Sequence, residues 1–281
     1  MESDAHALQV AELYSHGAHK YGDFHGGYLN FGYWDDGNGN VIHEYTQAAR
    51  ELVFRIGILA GLNERSHVLD VACGYGAQDI YLYNLFGCHI DALDITPQHI
   101  QAARGRIHKN SCEKYVRAHE GTATNLTRFI DSSFTDVLCI EGVVHFDTRE
   151  RFLREAYRVL KKNGVLTMAD YCLKRPPKNI AEEFLLSILT KIWHIPKKNC
   201  VVPEEYIQKL SQIGFKQIQL ELIGEKTIPG YCYENEKPEC RTALRAIRGV
   251  KGDFGGRIMD KVVYIAFHAG LLEYILVRAV K

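Results

Sequence analysis

Apolar residues in the middle of the chain form short runs, and these runs alternate with segments whose apolar positions recur at helical spacing. Val68–Ala72, apolar apart from Asp70, and Val137–Ile140 have the length and composition of strands buried on both faces. Between such runs, Phe152 and Ala156 lie one helical turn apart, as on the buried face of a helix. This alternation predicts a doubly wound α/β fold with a largely parallel sheet.

Turn and cap residues give the bounds of the other elements. Thr96-Pro97 opens a helix with threonine as the expected cap, and Asp147 with Glu150 resembles a capping box. The helix that follows Asp147 is expected to stop at Lys161 to Gly164. The remaining predicted strands are 88–93, 165–169, 215–222 and 272–279, and the remaining predicted helices are 77–86, 203–213 and one from after Pro177 to near Trp193.

The alternation breaks after Tyr171. Residues 173–202 contain the pair Pro176-Pro177, and residues 229–268 contain a cluster of glycines that marks a break within helix. We interpret both ranges as insertions that cap the strand tips, where ligands bind in open α/β sheets. Residues 1–44 precede the core and are interpreted as an N-terminal arm or lid. The 281 residues are therefore expected to form one domain.

Composition favours a soluble cytoplasmic enzyme. Lys and Arg together number 34, as do Asp and Glu, so no bulk charge attracts nucleic acid. No segment resembles a membrane span, and the polar, acidic start is unlike a signal peptide. The eight cysteines lie far apart without a CxxC pair, which favours reduced core thiols over disulfides or zinc. His16, His19 and His25 lack a nearby thiolate or carboxylate, so no metal site is predicted, and nothing indicates an oligomeric state.

A glycine turn, Cys73-Gly74-Tyr75-Gly76, joins the strand at Val68–Ala72 to the helix that follows. Glycine permits both a sharp bend and a close approach of the backbone to a ligand, because it has no Cβ atom. Strand, glycine turn and helix together are typical of a cradle for a nucleoside cofactor.

Three acidic residues around this turn bear on the class of cofactor. Asp79 occupies the position where the dinucleotide fingerprint needs a small residue. Asp70 would repel a pyrophosphate but suits an ammonium group, and Asp94, twenty residues after Gly74, can accept hydrogen bonds from both ribose hydroxyls. S-adenosylmethionine carries an ammonium group and a sulfonium but no phosphate, so it is the favoured cofactor. A nicotinamide-dependent oxidoreductase with an unusual turn is an alternative.

Four segments of the sequence resemble the class I S-adenosylmethionine-dependent methyltransferases, in particular the branch that acts on tocopherol, sterols, sarcosine and natural products. The segments are VLDVACGYGA, IDALDITPQHIQAA, FTDVLCIEGVVHF and FLREAYRVLKKNGVLTMADY. The resemblance covers about residues 45–172, and YLNFGYWDDG, residues 28–37, is similar to an N-terminal segment of part of that branch. It implies a Rossmann-like, seven-stranded sheet, mostly parallel with an antiparallel last strand. It also implies methyl transfer from S-adenosylmethionine to a small-molecule acceptor, with S-adenosylhomocysteine as the product.

The resemblance implies where the cofactor binds. Asp70 is expected at the ammonium group, Asp94 at the ribose, and Thr122 and Ala123 near adenine. Two departures bear on these roles: Ala72 stands where many members have glycine, and Thr122 stands where many have an acid that contacts adenine. The full expected cofactor set is Asp70, Ala72, Gly74, Gly76, Asp94, Ile95, His99, Thr122, Ala123 and Glu141.

Methyl transfer from a sulfonium needs an acceptor held about 3 Å from the methyl group in a water-free site, and a base only if the acceptor loses a proton. His145, just after the fourth strand, is the candidate base, with ordering of the loop as its alternative role. Aromatic residues of the arm, among them Phe31, are interpreted as part of a lid, or else as packing of the arm. The expected acceptor contacts are Tyr28, Tyr33, Trp34, Phe146 and Tyr171.

The acceptor atom, whether oxygen, nitrogen or carbon, does not follow from the sequence. An aromatic content of 11% and the apolar stretch from Phe184 to Trp193 slightly favour an apolar acceptor. A protein that kept the fold and binds S-adenosylmethionine or a partner without turnover is a further alternative.

Overall fold

The computed structural model describes residues 2–15, 22 and 24–281, and a seven-stranded sheet forms its centre. The strands are β1 His67–Val71, β2 His89–Asp94, β3 Val116–Glu120, β4 Phe134–Ile140, β5 Leu160–Leu173, β6 Lys216–Leu222 and β7 Leu272–Val280. Their order across the sheet is β3-β2-β1-β4-β5-β7-β6. Strands β1 to β5 are parallel, whereas β7 runs antiparallel to both β5 and β6. The predicted fold, including its antiparallel last strand, is confirmed.

Helices connect the strands and cover the sheet. They are α1 Glu2–Ser15, α2 Tyr45–Ala60, α3 Ala77–Phe86, α4 Pro97–Lys109, α5 Arg149–Val159, α6 Ile180–Ile192, α7 Pro203–Ile213, α8 Gly224–Glu236 and α9 Pro238–His268. Helix α9 bends at Gly249, whose φ of 71° and ψ of 174° are not helical, within the glycine cluster that predicted a break. None of the helices in the described residues is both long enough and apolar enough to span a membrane.

Two apolar layers lie on opposite faces of the sheet. One layer packs α2, α3 and α4 against the strands, and the other packs α5 and α7. Because the inner strands are covered on both faces, residues such as Leu69, Val137 and Leu138 are fully buried. This explains why their sequences are continuous apolar runs rather than alternating patterns.

The chain reverses its direction of travel across the sheet at β1. From β1 it moves outward through β2 to β3, and it then returns to β4 on the other side of β1. At such a switch point the connections leave the sheet in opposite directions, so a crevice opens at the carboxyl ends of the strands. The residues that follow β1, β2 and β4 therefore meet at one place.

Several local predictions differ from the structure. Thr96 takes the predicted N-cap position before Pro97, but its side chain forms no cap hydrogen bond at α4. Helix α5 is capped by Thr148, whose hydroxyl accepts a hydrogen bond from the Arg151 N–H at 3.1 Å, whereas Asp147 forms an ion pair with Lys198. The predicted helix stop at residues 161–164 is instead the start of β5, which begins immediately after α5.

Candidate cofactor and acceptor site

A cavity of about 1000 Å³, open to solvent, lies at the carboxyl ends of β1, β2 and β4. The structure brings most of the predicted site residues together around it. Those that line the cavity are Ala72, Gly74, Asp94, Ile95, His99, Thr122, Ala123, Glu141, His145 and Phe146.

Of the five aromatic residues expected at the acceptor, only Phe146 belongs to this lining. Tyr28, Tyr33 and Trp34 are buried in the core, where Tyr33 faces the guanidinium of Arg55 at 3.8 Å. The Trp34 indole N–H donates a hydrogen bond to the Phe31 carbonyl oxygen at 2.8 Å. These contacts correspond to packing of the arm, the alternative that the sequence left open. Tyr171 is also buried, behind Glu141, to which its hydroxyl donates at 3.1 Å.

Left-handed backbone conformations make the sharp bend that the glycine turn predicted. Ala72 has a φ of 64°, Gly74 of 57° and Gly76 of 75°. The conformation at Ala72 costs about 1–2 kcal/mol for a residue with a Cβ atom, which explains why glycine suits this position. Gly76 lies outside the cavity lining, and a Cβ atom there would approach Ala103 to 2.8 Å. Its role in the structure is therefore the close packing of α3 on α4.

Backbone N–H groups of the turn are used within the protein. Ala72 and Cys73 both donate to the Leu93 carbonyl oxygen, at 2.7 and 3.0 Å. Gly74 donates to Asp94, and Gly76 donates to the Cys73 carbonyl oxygen. A pyrophosphate cradle needs such groups free to bind the ligand. The turn therefore differs from a dinucleotide cradle in its hydrogen bonding as well as in its sequence.

Asp94 ends β2 and holds the turn from the other side. One carboxylate oxygen accepts from the Gly74 N–H at 2.9 Å, the other accepts from the Thr96 N–H at 2.8 Å, and His99 Nδ1 lies 3.3 Å away. Burial opposes ionisation, but His99 and these two N–H groups together lower the pKa of Asp94 below its ordinary value. A carboxylate oxygen has two lone pairs, so the oxygen that accepts from Gly74 retains one for a ribose hydroxyl.

Asp70 lies behind the cavity wall rather than on it. Its carboxylate accepts a hydrogen bond from the Gln78 side-chain amide at 2.5 Å, and Gln78 lines the cavity. Burial raises the pKa of Asp70 to about 6. Burial and the nearby Asp70 charge also raise the pKa of Asp79 well above its usual range. An ammonium group beyond Gln78 would favour the charged form of Asp70.

Glu141 follows β4 and braces the site. Its carboxylate accepts hydrogen bonds from the Phe31 N–H at 2.5 Å, the Tyr274 hydroxyl at 2.7 Å and the Tyr171 hydroxyl at 3.1 Å. Burial raises the pKa of Glu141 to about 7 in spite of these donors. These contacts brace the loop after β4, and the residue, expected from the sequence at the cofactor, also lines the cavity.

His145 is buried in a short 3₁₀ turn, Val143–His145, directly after β4. Its Nδ1 atom lies 2.7 Å from the Trp193 carbonyl oxygen, and its Nε2 atom lies 3.0 Å from the Tyr14 hydroxyl. A carbonyl oxygen only accepts hydrogen bonds, so Nδ1 carries the proton and Nε2 of the neutral ring offers a lone pair. Burial lowers the pKa of His145 to about 4, and the ring is therefore neutral at pH 7.

The two predicted insertions reach the site indirectly. No residue of 173–202 or 229–268, all of which the structure describes, lines the cavity. The first insertion orients the loop around His145, because the Asn199 amide donates to the carbonyl oxygens of Val144 and Phe146 at 2.9 and 2.8 Å. These contacts join segments about fifty residues apart, so they had no local sequence signal.

Helix α1 contributes cavity residues that sequence reasoning missed. His6, Ala7, Val10 and Tyr14 line the cavity opposite the strands. These four positions share one face of α1, which was the signal available in the sequence. The segment has little apolar periodicity, so this face was not apparent. Asn30 and Gln78 were also missed, since a single amide side chain in a sequence belongs to no motif that would mark it as a site residue.

The predicted absence of a metal site concerned three histidines. His16 and His19 lie outside the described residues. His25 is buried against the Tyr45 ring, at 4.0 Å between centroids. In the part of the chain that the structure describes, no three His, Cys, Asp or Glu side chains are grouped to hold a metal ion.

Comparison with known proteins identifies the family. Residues 69–168 match the model of a methyltransferase domain. The sequence is 30% identical over 211 residues to erythromycin 3''-O-methyltransferase of Saccharopolyspora erythraea, an alignment that covers 72% of this chain and 66% of that protein. The chain belongs to the S-adenosylmethionine-dependent methyltransferases. It transfers a methyl group from S-adenosylmethionine to a small-molecule acceptor.

Other relatives of this methyltransferase cover more of its length. The O-methyltransferase resE of Aspergillus sclerotiorum is 25% identical over 256 residues, which are 90% of both chains. Among solved structures, geranyl diphosphate C-methyltransferase of Streptomyces coelicolor, in complex with S-adenosylhomocysteine, superposes with a TM-score of 0.75. That match has 17% identity and covers 98% of this chain and 97% of the other, so it shows the shared fold.

The residues present fit S-adenosylmethionine. Asp94 keeps a lone pair for a ribose hydroxyl, and the Asp70 carboxylate lies behind Gln78, which lines the cavity. None of the described residues that line the cavity is Lys or Arg. Such a lining suits a cofactor that carries a sulfonium and an ammonium group.

Proposed function

We propose that the acceptor is a hydroxyl group on an uncharged metabolite and that His145 accepts the hydroxyl proton. The observation that carries this proposal is the contact between His145 Nε2 and the Tyr14 hydroxyl, at 3.0 Å. A hydroxyl donor thus fits against Nε2 at the cavity wall, and an acceptor hydroxyl that displaced Tyr14 would make the same hydrogen bond.

The state of His145 supports this role. The bond from Nδ1 to the Trp193 carbonyl oxygen fixes the tautomer in which Nε2 accepts a proton. Because the pKa of His145 is lowered to about 4 by burial, the ring needs no prior deprotonation at pH 7. A pKa of about 4 also makes the ring a weaker base than an ordinary histidine, so the hydrogen-bond geometry at Nε2 carries the assignment.

The residues that line the cavity support an uncharged acceptor. Val10, Leu29, Ile95 and Phe146 supply apolar surface, and the described lining has no Lys or Arg to bind a phosphate. Four of the relatives are named O-methyltransferases, among them erythromycin 3''-O-methyltransferase, and two are named N-methyltransferases. An oxygen acceptor on a largely apolar molecule is consistent with both observations.

Bound S-adenosylmethionine supplies an electrophilic methyl group on its sulfonium. The residues of the chain then have four tasks: they bind the cofactor and the acceptor, orient the acceptor toward the methyl group, exclude water from the site and accept the hydroxyl proton. We assign the ribose to Asp94, Ile95 and His99, the ammonium group to Asp70 through Gln78, and adenine to Thr122 and Ala123. Ala72 and Gly74 line the methionine tail. Glu141 braces the arm, and Phe146 lies beside the acceptor.

Helix α1 is assigned the role of a lid. It places Tyr14 over His145 and lines the cavity with Ala7 and Val10, so it shields the reacting groups from water when it is in place. The insertions 173–202 and 229–268 are assigned a supporting role, since Trp193 orients His145 from outside the lining.

We place the enzyme in the cytoplasm and expect no nucleic-acid partner. All eight cysteines are free thiols, which is typical of a reducing compartment. Basic and acidic residues are equal in number, so no net charge attracts a polyanion.

A labelled-methyl assay tests the proposal. The enzyme is incubated with S-adenosylmethionine and matched acceptor panels that bear an alcohol, a phenol, an amine or a diphosphate on the same apolar scaffolds. We expect methyl ethers from the alcohol or phenol panel, identified by mass spectrometry. Methylation confined to nitrogen or carbon would overturn the hydroxyl assignment, and a preference for the diphosphate panel would overturn the uncharged acceptor.

A further inference from the structure

Asn30 has an unused hydrogen-bond donor at the wall of the cavity. The residue is 3% exposed and lines the cavity, and its Nδ2 atom has no hydrogen-bond partner among the described residues. Its Oδ1 atom accepts from the Gly32 N–H at 2.9 Å, which distinguishes the two ends of the amide. Buried donors in native proteins are nearly always satisfied by protein, water or ligand.

Neighbouring contacts hold Asn30 in place. The Tyr45 hydroxyl donates to the Asn30 carbonyl oxygen at 2.6 Å, and the next N–H, that of Phe31, donates to Glu141. Gly32 has a φ of 73°, and a Cβ atom there would approach Ala48 to 2.9 Å. The amide is therefore positioned before a ligand binds, which reduces the entropy that binding must overcome.

The segment before Phe31 lies on the glycine turn. Leu29 Cδ1 lies 3.4 Å from the position of a Cβ atom built on Gly74. Leu29, Asn30, Ala72 and Gly74 all line the same cavity. This is the wall along which we place the methionine tail of the cofactor.

A carboxylate on that tail needs hydrogen-bond donors. The N–H groups of Ala72, Cys73 and Gly74 are bonded within the protein, and the Gln78 amide donates to Asp70. The described lining offers no Lys or Arg as a counter-charge. Among the described residues, Asn30 Nδ2 is a buried donor at this wall whose bonding capacity is unused, whereas the His99 ring, also without a hydrogen-bond partner, lies beside Asp94.

We infer that Asn30 Nδ2 binds the carboxylate of the methionine tail of S-adenosylmethionine. The two charged groups of the tail are then separated: the ammonium group faces the Gln78 and Asp70 side, and the carboxylate faces the arm. The inference rests on the cofactor and is independent of the acceptor and of His145.

Two ligands that differ only in the tail test the inference by titration calorimetry. S-adenosylhomocysteine has the amino-acid tail, whereas 5′-methylthioadenosine keeps adenine, ribose and sulfur without it. Asn30→Asp preserves the acceptor for the Gly32 N–H but replaces the donor with a repelling oxygen. We expect the variant to bind S-adenosylhomocysteine about tenfold more weakly or worse, and to bind 5′-methylthioadenosine within about twofold of wild type.

Asn30→Ala, measured in the same way, covers the case in which a buried aspartate prevents folding. Tyr45→Phe is the control, because it removes the bond to the Asn30 backbone and leaves the amide intact. Unchanged affinity for S-adenosylhomocysteine in the folded Asn30 variants, or equal losses for both ligands, would overturn the inference. A selective loss of the same size in Tyr45→Phe would attribute the effect to the placement of the segment and also overturn it.

Discussion

The Nδ1 atom of His145 and the carbonyl oxygen of Trp193 are 2.7 Å apart, and this bond joins the loop after β4 to the end of α6. It keeps Nε2 free of its proton in the neutral ring, and the pKa of that ring is about 4 because it is buried. Protonation would block the base, so the rate is lost as the pH falls through this pKa. We expect a level rate from about pH 8 down to about pH 5 and a fall below it.

Single-turnover methylation measured across this range checks the pH dependence, with circular dichroism to exclude acid unfolding. A base with the ordinary histidine pKa of about 6.5 would lose activity already between about pH 7 and 6. A fall in that interval would show that burial does not control the titration of His145 during turnover.

His145→Ala is expected to lower the methylation rate by about 10²-fold or more at neutral pH, because the hydroxyl proton loses its acceptor. Affinity for S-adenosylhomocysteine, measured by calorimetry, should change little. His119→Ala is the control, since His119 pairs with Asp91 at 2.6 Å and does not line the cavity. A rate for His145→Ala within a few-fold of wild type would indicate catalysis by proximity alone.

Asp94→Asn is expected to weaken S-adenosylhomocysteine binding by about 1–3 kcal/mol, because a charged acceptor of the ribose hydroxyls becomes a neutral amide. Asp91→Asn is the matched control on the same strand, since Asp91 pairs with His67 and His119 away from the cavity. Calorimetry on both folded variants gives the comparison. Equal affinities for the two would remove Asp94 from the ribose role.

Glu141→Gln is expected to change how stability depends on pH. Burial raises the pKa of Glu141 from 4.5 to about 7, so its ionisation destabilises the folded state. Its contribution is fully present below about pH 4.5 and is lost as the pH rises through about 7, by roughly 3 kcal/mol in total. Glutamine does not ionise, so urea unfolding should show wild type losing stability relative to Glu141→Gln between pH 5 and 8. Parallel curves for the two proteins would contradict the raised pKa.

Removal of residues 1–15, which include α1, is expected to leave the sheet folded, because α1 belongs to no strand connection. Turnover should fall by about tenfold or more as water enters the site, whereas affinity for S-adenosylhomocysteine should stay within about threefold. Tyr14→Phe separates the two roles of the helix, since it keeps the cover and removes the hydroxyl from His145. Normal turnover by the truncated protein would reduce α1 to surface packing.

Local patterns in the sequence predicted the frame of the site. The strand, glycine turn and helix around Gly74 form a continuous segment, and Asp94 ends the next strand. The pattern of apolar residues and the distance in sequence were therefore enough to predict the positions of the turn and of Asp94. The capping prediction was less accurate, because Thr148 rather than its neighbour Asp147 caps α5, and Thr96 takes the N-cap position of α4 without a cap hydrogen bond.

Contacts between distant segments were beyond such patterns. The aromatic residues at 28, 33 and 34 were expected at the acceptor and are instead core residues, since both roles require the same residue types. Tyr14 reaches His145 across 131 positions, and Asn199 reaches Phe146 across 53. Only the tertiary packing of α1 and of the first insertion brings these pairs together.

The Glu141 carboxylate connects the arm to the last strand of the sheet. Its partners Phe31 and Tyr274 are 110 and 133 residues away in sequence, in opposite directions. Closing two loops of that length carries a large entropy cost that is recovered only when the sheet is nearly complete. The ligand site should therefore be among the last parts of the molecule to form during folding. An amide exchange experiment should find the Phe31 N–H protected later in refolding than the N–H groups of β1 and β4.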